Sequence, residues 1–494
     1  MKRLPNPRFF RLWTIVLLMA LSFHAFTQED STENDYQKEF DNFLNASQQE
    51  FDNFKSKNDS IFYQFLLDNW KEYELLLDEP RTTPKPKEQP KIDARDANLI
   101  KEIKPKIKTK TIRENTDQQI QLQLPPKEYK SMGHAATYST VSFYGSDIDV
   151  PIVNTQSLPT EAELNQKQIA NFFRENADNT ELIAAVYHIK EQAIAKNLNA
   201  WGYLRLLQEA SVVYFKKQND RVLFTWLALL KTNYDAIVGY SDNDIFLLVH
   251  FDVPAYYISN FEKDGKRYYI TPLPGQTDRQ KPIVSYEGEY PESLKPVSLH
   301  ISDNPLLAAD QKTREIHYKD QTIPINYNQN MVDFYNNYPA CELAIYFPPP
   351  LSQLALESLN IYFDPVLRGK TKTEKASILL DFVQTGFPYR TDEQQFGKEN
   401  YLFAEESIFN EFSDCEDRSV LLAQLIEYFT DLNTIGLVFP GHVSLAVAIP
   451  EEIEGTYINY NGSHYYICDP TYIGSKLGMM MPEFEKIQAE IIDF

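Results

Sequence analysis

Three cysteines in 494 residues, Cys341, Cys415 and Cys468, are too few for a disulfide scaffold, and their odd number leaves at least one thiol free. Lone cysteines are usually buried as small apolar residues; Cys341 and Cys468 are the two open to pairing. Long apolar runs are equally scarce. The stretch from Leu12 to Phe26 falls short of the roughly 20 residues that a membrane span needs, and no second run of spanning length follows. Positive charge is the third shortage: 48 Lys and Arg stand against 70 Asp and Glu, a formal charge of −22. Nucleic acid and anionic membrane would both repel such a chain, which excludes them as expected partners.

What is present is apolar and aromatic residues, at 43% and 13%, enough for a globular chain with room for two to four domains. At the start, Lys2, Arg3, Arg8 and Arg11 precede the Leu12–Phe26 run, and a polar stretch ends it. This layout predicts a signal peptide over 1–27, cleaved near Ala25 or Thr27, with no cysteine after it to accept a lipid. The mature chain is expected to be exported, to the periplasm or out of the cell.

The segment 28–78 carries an eleven-residue aromatic repeat, FDNF at 40–43, FDNF at 51–54 and FYQF at 62–65. Eleven residues make three helical turns, so the pairs share one face of a helix predicted over about 33–77. That face must be buried, against this chain, a second copy or another partner. The segment 79–135 is rich in Pro and Lys and reads as an extended, solvated tether whose lysines could attract an acidic surface. A helical plus β domain is expected over 136–275, with helices near 161–175, 180–196, 199–217 and 220–232, then strands at DAIVGY, IFLLVHF, AYYISNF and KRYYITP. A β-rich connecting region (PVSLHI, REIHY, TIPINY, ELAIYF) covers 276–350, and a last domain, 351–494, includes a helix beginning near Thr373.

In that domain SDCEDRSVLLAQLIEYF sets Ser413 and Glu416 at capping-box spacing, which puts Cys415 in the first turn of a helix with a wide apolar face. Helix-start N–H groups favour a thiolate and an oxyanion. Asp414, Glu416 and Asp417 oppose a further negative charge, so the thiol needs a cationic partner, most naturally an imidazolium. His442 follows Gly441 at the start of a strand, and Asp469, before Pro470, closes the next strand. If the two strands are antiparallel neighbours, imidazole and carboxylate meet, and the acid orients the base. His464 reads as a surface turn residue. Any one of these residues alone is weak evidence; their order and context together raise it.

SDCEDRSVLLAQLI, PGHVSLAVAI and YYICDPTY resemble the Cys, His and Asp blocks of the transglutaminase-like superfamily, which shares a papain-like core; the resemblance covers about 370–480. It implies Cys415 as nucleophile, His442 as general base and acid, and Asp469 as orienting partner. It also implies acyl transfer from an amide or peptide carbonyl through a thioester to water or an amine. The lead-in PYRTDEQQFGKENYLFAEES resembles that of exported bacterial members, where Tyr389, Gln394 or Gln395 would line the cleft. No segment matches the calcium sites of animal transglutaminases, so neither metal nor cofactor is expected.

The expected fold is α+β, with a transglutaminase-like core at the C-terminus. Laying residues 218–249 on the Cys415–His442 region aligns Asp220 with Asp417 and Arg221 with Arg418, leaving Gln218, Asp244 and Thr271 or Pro272 at the triad positions. This suggests a degenerate second copy upstream; chance likeness between two helix-plus-hairpin units is the competing explanation. The leading function is an exported cysteine peptidase or amidase acting on a protein or peptide. The alternatives are a cross-linking acyltransferase and a non-catalytic peptide-binding or assembly protein.

Overall fold

The structure is a computed structural model that describes residues 56–80, 85–92, 102–103, 106–111, 137–159, 164–276, 281–291, 293 and 295–494. The chain divides into two compact units, 1–58 and 59–494, and the account below concerns the second. The expected signal peptide and both FDNF repeats lie outside the described residues. No helix among those described is long and apolar enough to cross a membrane.

The fold is mixed α+β, as expected. Residues 59–68 are helical, and the FYQF repeat packs within the chain: Phe62 is buried and meets Phe173, Tyr286 and Tyr290 edge-on with centroids 5.1 to 5.5 Å away. The helix does not run to residue 77. Asn69 Nδ2 donates back to the Phe65 carbonyl, and the chain then extends as β1 (Trp70–Tyr73) and β2 (Leu76–Leu77). Sheet pairing outweighs the helical periodicity here, because both strands complete the edges of one sheet and Tyr73 stacks on Phe261 at 4.2 Å.

The Pro/Lys-rich segment is not simply a solvated tether. Residues 85–92 are bound to the C-terminal domain, and β3 (Glu102–Ile103) and β4 (Lys106–Thr111) add parallel edge strands to its sheet. Extended backbone with open N–H and C=O groups is suited to edge addition, even where apolar side chains are few.

Next come the hairpin β5 (Tyr138–Phe143) and β6 (Ser146–Pro151), then four helices: α1 (Gln166–Ala177), α2 (Thr180–Ala195), α3 (Ala200–Tyr214) and α4 (Gln218–Lys231). Asn165, Asn179 and Asn199 cap the first three through their side chains, which sets their starts. Strands β7 (Ala236–Ser241), β8 (Asp244–His250), β9 (Ser259–Lys263), β10 (Lys266–Ile270) and β11 (Ile283–Tyr286) form the first large sheet. The hairpin β12 (Gln311–Tyr318) and β13 (Gln321–Asn328) matches REIHY and TIPINY. ELAIYF, expected as a strand, is instead a single tight turn of helix over Leu343–Ile345. Pro348, Pro349 and Pro350 follow it directly, and proline cannot donate to a ladder.

Helices α5 (Gln329–Asn336), α6 (Gln353–Leu367), α7 (Lys372–Gly386), α8 (Asp392–Phe396), α9 (Ala404–Phe409) and α10 (Cys415–Thr430) lead to the second sheet. Its own strands are β14 (Thr434–Phe439), β15 (His442–Ala448), β16 (Tyr457–Tyr460), β17 (Ser463–Cys468) and β18 (Glu490–Asp493). Its order, β18-β14-β15-β17-β16, repeats β11-β7-β8-β10-β9 of the first sheet strand for strand, each preceded by a buried helix, α10 or α4. Register agrees as well. Val249 pairs with Tyr269 as Val447 pairs with Tyr466, and the Ser241–Asp244 hairpin end matches Phe439–His442.

Candidate active site

Cys415 is the first residue of α10, whose Val420, Leu421, Leu422, Leu425 and Ile426 are all buried. The expected capping pair is displaced by one residue. Asp414 is the N-cap, and its backbone N–H donates to Asp417 Oδ2 at 3.2 Å, while Ser413 Oγ accepts from Arg418 Nε at 3.3 Å. The shift follows from Arg418, which is fully buried and also donates to the Phe387 carbonyl, drawing Ser413 away from the helix start.

His442 opens β15 and Asp469 follows β17; the two strands are antiparallel neighbours, paired at Leu445 and Cys468. Imidazole Nε2 and Asp469 Oδ2 lie 2.8 Å apart, so Nδ1 is the ring nitrogen left to face a thiol. The other carboxylate oxygen, Oδ1, accepts from the backbone of Thr471 at 2.9 Å and Tyr472 at 3.2 Å, a turn that fixes the carboxylate. Phe484 stacks on the imidazole with centroids 5.1 Å apart and planes 10° apart. Ser419 draws helix and strand together: its hydroxyl, 2.7 Å from the Cys415 carbonyl, also lies 3.3 Å from that of Val443, the residue after His442. Cysteine, histidine and aspartate are 1%, 3% and 2% exposed, so this arrangement is closed.

Cys415 Sγ does not pair with His442. It donates to Glu416 Oε2 at 3.0 Å. Burial, and after it the Glu416 charge, holds the thiol well above its ordinary pKa, so the sulfur is neutral in this state. The acids around it form a buried cluster with the Lys85 ammonium in its midst. Lys85 Nζ contacts Asp414 Oδ2 at 2.9 Å, Glu399 Oε1 at 2.8 Å, Glu416 Oε1, and Asp392 Oδ2 at 3.9 Å. Burial works against an ionised Glu416, yet Lys85 and the neighbouring hydrogen bonds bring it down to about 2. Burial and then the Asp417 and Glu416 charges push Asp392 up to about 10; burial and then Glu416 push Asp417 up to about 8. Glu416 is therefore the anion opposite Lys85, and Asp392 and Asp417 keep their protons at neutral pH. Oxygens of Asp392, Glu399 and Glu416 lie within 4.8 Å of one another, a set that a hard cation accepts; here the ammonium takes that position.

Of the other expected site residues, Tyr389 does reach the site. Its hydroxyl donates to the Pro86 carbonyl at 2.8 Å and the Arg418 guanidinium lies 5.4 Å from its ring centre. Gln394 does not: it is exposed on α8, where Oε1 accepts from Thr391 N and caps its own helix. Gln395, also on α8, is half-buried, and its backbone N–H donates to the Thr391 carbonyl at the start of that helix. His464 is exposed and stacks on Tyr457, as its turn position suggested. Cys341 and Cys468 are free and buried, not paired.

The residue that the sequence reading missed is Gln384, on α7. Its Nε2 donates to the Asp469 carbonyl at 2.9 Å and to Ser475 Oγ at 2.9 Å, and its Oε1 accepts from Gly474 N at 3.2 Å. A glutamine beside Leu380 and Val383 on a buried helix face was the available signal. Ser444 Oγ, on the His442 face of β15, and Thr471 Oγ1 are buried with no hydrogen-bond partner, leaving polar capacity beside the imidazole–carboxylate pair. The site thus holds a cysteine at a helix start and a buried His–Asp pair on the strand that Ser419 ties to that helix. No family model, curated protein or solved structure matches the chain significantly.

Proposed function

We propose that the chain is an exported cysteine hydrolase of transglutaminase-like type, with a papain-like core in its C-terminal domain and a degenerate copy of that core upstream. The observation that carries this reading is the buried His442–Asp469 pair at 2.8 Å, held against the helix that begins at Cys415. In the reaction Cys415 Sγ attacks an amide carbonyl carbon while its proton passes to His442 Nδ1. The tetrahedral adduct collapses to a thioester as His442 returns that proton to the leaving amine. Water, deprotonated by the same imidazole, then releases the acid and restores the thiol. Asp469 holds the ring and offsets the charge of the imidazolium. Water is the default acceptor in this reading, since among the described residues the seat for an amine beside the thiol is the one that Lys85 fills; an amine in its place would make the protein a cross-linking acyltransferase.

A non-catalytic peptide-binding role is favoured by one observation, the bond from Cys415 Sγ to Glu416 instead of to His442. The two readings part in the alkylation rate of Cys415, followed by peptide mapping from pH 5 to 9 in a Lys85→Glu chain, where the ammonium that closes the acidic cluster is gone. The hydrolase reading expects a rate that rises near neutrality and falls at least about tenfold in His442→Ala. An ordinary thiol profile, the same in both proteins, overturns it.

A further inference from the structure

We infer that the C-terminal domain carries a groove for an extended, lysine-containing peptide next to Cys415, and that residues 85–92 of the same chain fill it. The ligand class is a peptide whose lysine, followed by proline, enters the acidic seat. Four observations define the groove. Lys85, its side chain 9% exposed, is ringed by Asp392, Glu399, Asp414 and Glu416. One residue on, the Pro86 carbonyl accepts from Tyr389 Oη. Gln89 Nε2 donates to the carbonyl of Gln384, the residue that braces Asp469. At the far end, Ile473 N donates to the Pro90 carbonyl at 2.9 Å and Ile92 N to the Ile473 carbonyl at 3.0 Å, a parallel β-bridge four residues past Asp469.

The peptide thus runs from the nucleophile's helix, which it meets through the Lys85 ammonium, to the aspartate's loop, which it meets through its backbone. That is how extended peptides bind when sheet-like hydrogen bonds give affinity and a side-chain pocket gives register. Selectivity is visible within the segment itself: Lys87 and Lys91 are exposed, and only Lys85 is seated. An ammonium is the fitting head group, being a compact donor of three hydrogen bonds for converging carboxylates, where a planar guanidinium would need paired oxygens in one plane. Occupancy in cis keeps Cys415 covered, so the segment acts as a strap. Being tethered, it outcompetes a free peptide of equal affinity through its high local concentration.

This inference rests on the proposed site only for its location, and its test separates the two. In Lys85→Glu the strap meets carboxylates with a like charge, and alkylation of Cys415 by iodoacetamide should rise about tenfold or more; Lys87→Glu, at an exposed position of the same segment, should stay near wild type. A synthetic peptide of residues 82–92 added to the Lys85→Glu protein should restore protection, and the same peptide with glutamate at the Lys85 position should not. If Lys85→Glu protects Cys415 as well as wild type does, or if both peptides protect equally, the groove is refuted. Release of Cys415 in Lys85→Glu with a rate indifferent to His442→Ala would support the strap and sink the hydrolase. Should Lys85→Glu fail to fold, hydrogen exchange on the wild-type protein decides: the Ile92 amide should be protected, and exchange at the rate of a free peptide overturns the inference.

Discussion

Replacing Asp469 separates stability from reactivity, because its two carboxylate oxygens have different tasks. Oδ1 satisfies two buried backbone donors, Thr471 N and Tyr472 N, and Oδ2 holds His442 Nε2. Asp469→Ala removes both tasks. Orphaning two buried N–H groups, at about 1–3 kcal/mol each, predicts a loss of about 3–5 kcal/mol in unfolding free energy. Asp469→Asn behaves differently. Its carbonyl oxygen must stay on the two backbone donors, since flipping would set an NH2 against both, so its NH2 points at His442 Nε2. An N–H donated to Nε2 selects the tautomer with hydrogen on Nδ1, the nitrogen that has to accept the thiol proton. Stability should fall by under about 1 kcal/mol, and the rate of Cys415 alkylation at neutral pH by about a hundredfold or more. Urea unfolding and peptide-mapped alkylation, on both variants in the Lys85→Glu background, supply the two readouts. An Asp469→Asn protein with wild-type reactivity would falsify the orienting role, and one as unstable as Asp469→Ala would refute the division of labour between the oxygens.

Gln384→Ala should cost about 1–3 kcal/mol by taking the amide donor from the buried Asp469 carbonyl and Ser475 hydroxyl, and should slow Cys415 alkylation through the loosened Asp469; wild-type kinetics in a destabilised protein would make Gln384 purely structural. The Asp417 carboxyl, pushed up to about 8 by burial and the Glu416 charge, binds its proton more tightly folded than unfolded. Its stabilisation is therefore complete below the unfolded value near 3.8 and is lost as pH rises to about 8. The wild-type urea midpoint should fall between pH 5 and pH 9, and Asp417→Asn should flatten that slope, with Glu406, pushed up to about 8 by burial, and Asp392 contributing to the remainder; an unchanged slope would show that Asp417 ionises normally. Lys231, buried and 2.5 Å from Asp59 Oδ1, anchors the helix at 59–68; Lys231→Ala should cost about 3–5 kcal/mol by stranding that carboxylate, and Lys231→Ala with Asp59→Ala should recover part of the loss in calorimetry.

Local signals in the sequence carried much of the C-terminal half. Cys415, His442 and Asp469 each sit at the start or end of an element with strong periodicity and turn chemistry, whereas the antiparallel pairing of β15 with β17, with β16 between them in the chain but outside β17 in the sheet, is a property of the fold. The failures lie where a non-local partner outweighs a local pattern. The eleven-residue repeat is a helical signal, yet Trp70–Tyr73 pairs with Ile283–Tyr286, more than 200 residues on. The Pro/Lys-rich segment lacks the apolar content to fold alone, and its order comes from an acidic seat and from open sheet edges elsewhere in the chain. Gln394 and Gln395 read as cleft residues from proximity in sequence, whereas helix capping turns Gln394 back onto its own backbone. The acids round Cys415 were legible as an obstacle to a thiolate, and an imidazolium as the remedy. What the sequence could not show was that a lysine some 330 residues upstream answers them first.

The two sheets say which shared residues belong to the framework and which to the chemistry. At Asp220 and Asp417 the same task recurs: Asp220 Oδ1 accepts from Leu158 N, and Asp417 Oδ1 from Leu402 N, so each carboxylate anchors an incoming loop to the first turn of its helix. The following arginines also act alike, Arg221 donating to the Phe215 carbonyl and Arg418 to that of Phe387. The Asp-Arg pair is therefore accounted for by folding in both places. Cysteine, histidine and aspartate are not. At the matching positions stand Gln218, exposed at the start of α4, Asp244, exposed at the start of β8, and Pro272, two residues past β10, and the first sheet keeps its order and register without them. A fold that forms equally well without the three residues has no structural need of a buried imidazole–carboxylate pair facing a helix-start thiol, and burying such a pair carries a desolvation cost. Their presence in the second sheet alone, beneath a strap of the chain's own making, is the strongest reason for reading that end of the molecule as a reactive site held closed.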